Sequence, residues 1–243
     1  MADRFYCPGP WAGGVAVLDG DEARHLAKVR RVGLGESVAL FDGAGRAGVA
    51  TVVEIGRDRV VLQVVAETDD DRKLSIPLVL ATAVPKRDRF DWLVEKATEL
   101  GVTRLIPLVT ARSVVDPRTT KLDRLRRLVV EASKQSGRAT LMTIDGPRAF
   151  ADWLRDRTIE SRYIAQPTGH RLIACPDPWL ATGIGLTIGP EGGFTDAELA
   201  QAETAGLRTI GLGPTILRVE TAAVAACVAV LTICDANERG NTE

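Results

Sequence analysis

Two histidines in 243 residues, His25 and His170, with no cysteine or partner histidine at ligand spacing, deprive a metal site of its usual donors. Cysteine is also scarce. Cys7, Cys175, Cys227 and Cys234 form no C-x-x-C pair and read as small buried thiols of a reducing compartment. Aromatic residues are 5% of the chain, too few for bases to stack across an open sheet. There is no G-x-x-x-x-G-K-[ST] phosphate loop and no G-x-S-x-G nucleophile elbow. The longest apolar run, Ala222 to Cys234, is too short to cross a bilayer and reads as a buried or interface helix. The opening MADRFYCPGP has no apolar signal core, so the expectation is a cytoplasmic protein without a membrane or metal partner. Charge of one sign is missing too: the formal net charge is -1, so a polyanion would have to meet a local patch.

What remains is ample for a core, with 45% hydrophobic residues. The charged run Asp69 to Lys73, DDDRK, separates two differently patterned parts and predicts domains at 1–72 and 73–243. Before it, Ser37 to Phe41, Gly48 to Ile55 and Arg59 to Ala66 read as strands of a small β-barrel, with a hairpin turn at Gly56 to Asp58. After it, strands at Leu78, Arg104, Arg162, Gly183 and Arg208 alternate with helices, which implies an α/β fold on a mainly parallel sheet. Phe90, Leu93, Val94, Ala97 and Leu100 share one helix face before Gly101. Leu122, Leu125, Val129, Ala132 and Ser136 share another before Gly137. Thr195 with Glu198 forms a capping box, and Gly206 closes that helix.

Gly43, Gly45 and Gly48 spell G-x-G-x-x-G, the dinucleotide fingerprint. That motif must open a helix, whereas the β-branched stretch from Val49 to Ile55 predicts a strand, so a hairpin turn is expected instead. Basic residues are gathered locally. Arg112 to Arg138 holds eight Lys or Arg against Asp116, Asp123 and Glu131, with Arg118, Lys121, Arg124 and Arg127 at helical spacing. A second strip holds Arg24, Lys28, Arg30 and Arg31, and a third holds Lys86, Arg87 and Arg89. Each alone is an ordinary solvated face; three together favour a phosphate-rich partner.

Two glycine-bearing turns stand out near the end of the chain: IGPEGGF, Ile188 to Phe194, and LGPTILRVETA, Leu212 to Ala222. Each joins a strand to a helix. Gly189, Gly192, Gly193 and Gly213 would let a flat ligand reach bare backbone, while Pro190 and Pro214 stiffen the turns. With walls of Ile188, Leu212, Ile216 and Leu217, such a pocket suits an adenosine ligand beside a sulfonium cation. Both turns could equally be no more than tight connections.

IGPEGGFTDAE, LGPTILRVETA, EKATELGV (Glu95 to Val102), ASKQSGR (Ala132 to Arg138), RFY at Arg4 and HLAKVRRV at His25, taken together, resemble the RsmE family of SPOUT methyltransferases across nearly the whole chain. Two positions depart from its pattern: Arg31 stands where leucine is expected, and Pro214 where a basic residue is common. The resemblance implies an N-terminal PUA-like RNA-binding barrel and a C-terminal α/β domain with a deep trefoil knot. It further implies a homodimer, S-adenosylmethionine as donor, and methylation of the N3 nitrogen of a specific uridine in 16S ribosomal RNA, free or within the 30S subunit. Three loops should then meet at the donor: Ala165, Gln166 and Pro167; Ile188 to Gly193; and Leu212 to Arg218. For the chemistry, Arg218 is expected to stabilise the uracil anion, Glu220 to orient Arg218, and Glu191 to act as a base. Arg218 binding a phosphate and Glu220 capping its helix remain open alternatives. RNA contacts are expected at Arg4, Arg24, His25, Lys28, Arg30, Arg31, Lys86, Arg87, Arg124, Arg127 and Arg138.

Overall fold

The computed structural model describes residues 3–69, 74, 76–86, 88–116, 122–171 and 183–240. Its residues fall into two compact units, Met1–Lys73 with Val130–Leu141, and Leu74–Val129 with Met142–Glu243.

In the first unit, β1 (Arg4–Tyr6), β2 (Val15–Asp19), β3 (Ser37–Phe41), β4 (Arg46–Ile55) and β5 (Arg59–Asp69) pair in the order β1-β3-β4-β5-β2. β1 runs parallel to β3, and the other pairs are antiparallel. Period-two patterning makes one face of this sheet the core. Val38 and Leu40, Ala50 and Val52, and Val60 and Leu62 all point inward onto Phe5, Leu18 and Leu26. The predicted turn after β4 is present, with the Gly56 amide donating to the Arg59 carbonyl at 2.8 Å. The glycine triplet is indeed a hairpin: the Asp42 carboxylate accepts from the amides of Ala44 and Arg46, and the next residues enter β4. A short helix α1 (Gly20–Arg24) continues into a π-helical turn, His25–Arg30, which ends at Arg31 in the left-handed conformation, φ 56°.

The second unit contains β6 (Leu78–Ala83), α2 (Asp88–Glu99), β7 (Arg104–Val109), the start of α3 (Leu122–Ser136), β8 (Thr143–Ile144), β9 (Arg148–Ala149), α4 (Phe150–Arg155), β10 (Ser161–Arg171), β11 (Ile184–Ile188), α5 (Asp196–Thr204), β12 (Arg208–Gly211) and α6 (Val219–Gly240). Its strands pair in the order β12-β10-β11-β6-β7-β8, with β9 also on β7, and every described pair is parallel. β6 and β11 are buried at each position, as strands covered on both faces must be. α2 buries Phe90, Leu93, Val94 and Ala97 before Gly101 turns the chain at φ 80°. The Thr195–Glu198 capping box starts α5. From β12, at the sheet edge, the chain returns to the middle, where α6 packs on α2, β6 and β11.

Candidate functional site

In a parallel sheet the carboxyl ends of neighbouring strands emerge side by side, and the loops that follow them make the natural crevice. Here β10 lies between β11 and β12. β10 parts from β11 after Ile164 and shifts register after Ala165, so Ala165, Gln166 and Pro167 in its middle meet the β11–α5 loop and the β12–α6 loop, and between them is a cavity of about 360 Å³. Ala165, Gln166, Pro167, Ile188, Gly189, Pro190, Glu191, Gly192, Gly193, Leu212, Gly213, Ile216 and Leu217 all line it, as expected from the sequence. Arg218 does not; it is exposed just beyond the lining. A larger hollow of about 490 Å³ between α4 and α5 has no such convergence of backbone groups, and its Arg157 is spent on the Ala205 carbonyl.

The glycines are there for space and for conformation. A Cβ on Gly189 would lie 2.8 Å from the Phe194 ring, and Gly193 and Gly213 have φ of 68° and 132°. The Gly193 amide donates to the Pro190 carbonyl at 2.8 Å, closing a tight turn. Phe194 is buried against Phe150 and anchors the loop from below. The turn after β7 holds it from the side. Arg112 donates through Nη1 to the carbonyls of Gly192 (2.8 Å) and Phe194 (3.3 Å), and Glu198 accepts from the Ala111 amide at 2.8 Å. Thr215 lines it within the expected loop, and Arg112, Phe194, Val219 and Ala222 line it from outside the three loops expected to meet at the donor. Arg112 is 80 positions from Gly192, so no local pattern joins them.

Of the three residues considered for chemistry, Glu191 is exposed at the cavity and Arg218 is exposed beside it. Glu220 is buried in the first turn of α6, where its Oε1 lies 3.6 Å from Nε of Arg89 and its Oε2 has no hydrogen-bond partner among the described residues. No hydrogen bond or ion pair joins Glu220 to Arg218 among the described residues, so the geometry gives Glu220 a different neighbour from the one expected.

The basic strips are unequal. Lys28, Arg31 and Lys86 are exposed. Arg24 pairs with Asp21, Arg30 with Asp3, and Arg4 lies over the Phe41 ring at 4.6 Å. His25 packs edge-on against Phe5. Arg124 grips Asp91 with two bonds of 2.5 and 2.7 Å, and among the described residues Arg127 reaches only the Asp123 carbonyl, at 3.4 Å. Arg138 is buried, 7% exposed, which fits a structural role better than an open RNA contact. Arg87, Arg118 and Lys121 lie outside the described residues. Glu22, His25 and Glu131 come close enough to suggest a metal. The Lys134 ammonium bonds both carboxylates, however, and already offsets one of their two charges.

Comparison with known proteins adds the following. A family described as "RNA methyltransferase domain" matches residues 72–231, and one described as "RNA methyltransferase PUA domain" matches residues 18–65. The chain is 33% identical over 236 residues to ribosomal RNA small subunit methyltransferase E of Mycobacterium bovis, covering 91% of this chain and 87% of that one. It is 30% identical to the Bacillus subtilis protein of the same name, covering 88% of each. The crystal structure of the Neisseria gonorrhoeae protein of that name, bound to S-adenosylmethionine, superposes with a TM-score of 0.88 at 31% identity, over 96% of this chain and 98% of that one.

Proposed function

The chain belongs to the ribosomal RNA small subunit methyltransferase E family, and from that premise we propose that it methylates the N3 nitrogen of a specific uridine in 16S ribosomal RNA. S-adenosylmethionine is the donor. The observation that carries the reading is the cavity between the irregular middle of β10 and the loops that follow β11 and β12. Its volume of about 360 Å³ is within the range of small-molecule sites, and its glycine turns offer amides and carbonyls to a purine edge without side chains in the way. The donor supplies an electrophilic methyl group on a sulfonium.

Displacement at that methyl needs the nucleophile held in line, so the main task of the protein is positioning. Uridine N3 carries a proton at neutral pH, and in this reading Glu191, an exposed carboxylate in the cavity lining, receives it. Arg218, just outside the lining and with no side-chain hydrogen bond or ion pair among the described residues, offers its guanidinium to a uracil carbonyl as charge develops there. Glu220 acts at one remove, through Arg89 and the first turn of α6, in place of a direct contact with Arg218. The target base has to leave its stack to reach this depth.

Residues 1–72 form the PUA-like RNA-binding domain of this reading, and residues 73–243 the SPOUT domain, knotted from about Tyr163 into α6. RNA is met by Arg4, Arg24, His25, Lys28, Arg30, Arg31, Lys86, Arg87, Arg124 and Arg127. The enzyme works as a cytoplasmic homodimer on the rRNA or the assembled 30S subunit. Incubating purified small subunits with the protein and donor, then digesting the RNA to nucleosides, tests this: N3-methyluridine is expected, and a 2′-O-methylated nucleoside or no product would overturn it.

A further inference from the structure

The cavity has one cation and one carboxylate among the described residues that line it, Arg112 and Glu191; everything else there is backbone, apolar or neutral. Arg112 spends Nη1 on the carbonyls of Gly192 and Phe194. Its Nε–H and both Nη2 hydrogens have no partner among the described residues, and the Nε–Nη2 edge of a guanidinium takes a carboxylate with two parallel bonds. A methyl donor with an amino-acid end brings one fixed anion, its carboxylate, and the neutral remainder of the lining has no counter-charge for it. We propose that Arg112 binds the carboxylate at the amino-acid end of the methyl donor, while the same guanidinium holds the Gly192–Phe194 backbone in place. This rests on the donor reading above. Neutralising the carboxylate and fixing the loop are thereby one event: the anion locks the guanidinium, and the guanidinium locks the loop.

Calorimetric titration of the purified protein with S-adenosylmethionine and with decarboxylated S-adenosylmethionine separates the two roles. The wild-type protein should prefer the intact donor by about ten- to hundredfold, the size of a charge-assisted bidentate pair. Arg112→Ala and Arg112→Gln should bind both compounds with nearly equal affinity, close to the wild-type affinity for the decarboxylated one. Arg112→Gln keeps a donor for the Gly192 carbonyl, so it guards against simple collapse of the loop, and Arg112→Lys should recover part of the preference. If both variants weaken the two compounds by the same factor, Arg112 is a strut only and the carboxylate contact is refuted. It is equally refuted if the preference persists while RNA affinity drops, since the guanidinium then serves phosphate. If the wild-type protein binds neither compound, the donor assignment itself fails, which is a different result from either.

Discussion

Gly189 shows how much a single carbon decides. A methyl group there would sit 2.8 Å from the Phe194 ring, so Gly189→Ala must push Phe194 off Phe150 or move the donor loop. Overpacking of this kind costs about 1–3 kcal/mol, and the shifted amides should lower donor affinity about tenfold; urea unfolding and calorimetry read the two effects. Arg218→Ala should behave in the opposite way, because Arg218 lies outside the lining. Turnover should vanish while donor affinity stays within about twofold of wild type, which single-turnover methylation and calorimetry measure side by side. Unchanged turnover would remove Arg218 from the chemistry. At this scale the sequence showed the backbone of the site and little of its side-chain geometry. The glycines and prolines of both turns mark themselves by what only they can do. Arg112 reaches the site across 80 positions, and nothing near it in the chain signals that.

Elements were legible wherever one period or one cap dominated. The alternation in β3 to β5, the apolar stripes of α2 and α3, and the Thr195 box all depend on neighbours within a few positions. The two-residue strands β8 and β9 and the six-residue α4 were not, since pieces this short exist only because the sheet beside them is already there. An ion network ties these pieces to β7: Arg104 to Asp145 at 2.6 Å, Arg148 to Asp145 at 3.0 Å and Arg148 to Asp156 at 2.7 Å. Burial alone would raise the pKa of Asp156. The hydroxyl and amide of Thr158 and the Arg148 guanidinium outweigh it and hold the carboxyl at about 2 against an ordinary 3.8. A depressed pKa contributes stability that is complete above 3.8 and is lost as pH falls through about 2. The stability gap between wild type and Asp156→Asn should therefore be flat above about pH 5 and close between about pH 4 and 2, as urea titrations at stepped pH would follow. A gap that does not change with pH would mean that Asp156 acts through its hydrogen bonds alone.

For the whole molecule the open question is how a chain of net charge -1 holds RNA. The structure grades the cations that local spacing had ranked together: Arg124 is already paired with the Asp91 carboxylate, and Arg127 has no carboxylate partner among the described residues. Each phosphate contact adds roughly 0.7–0.9 to the slope of log affinity against log salt. Arg127→Glu should flatten that slope by about one, and Arg124→Glu by less, in filter-binding or fluorescence titrations across a salt series. A slope equal to wild type in Arg127→Glu would take α3 out of the RNA interface. A donor cavity with Gly189, Gly192, Gly193 and Gly213 in its wall has a pharmacological consequence as well. A competitive inhibitor that grips only the peptide groups of the Pro190 and Gly213 bends presents few side chains to alter, so escape variants would have to reshape the bends themselves and forfeit the natural cosubstrate along with the drug.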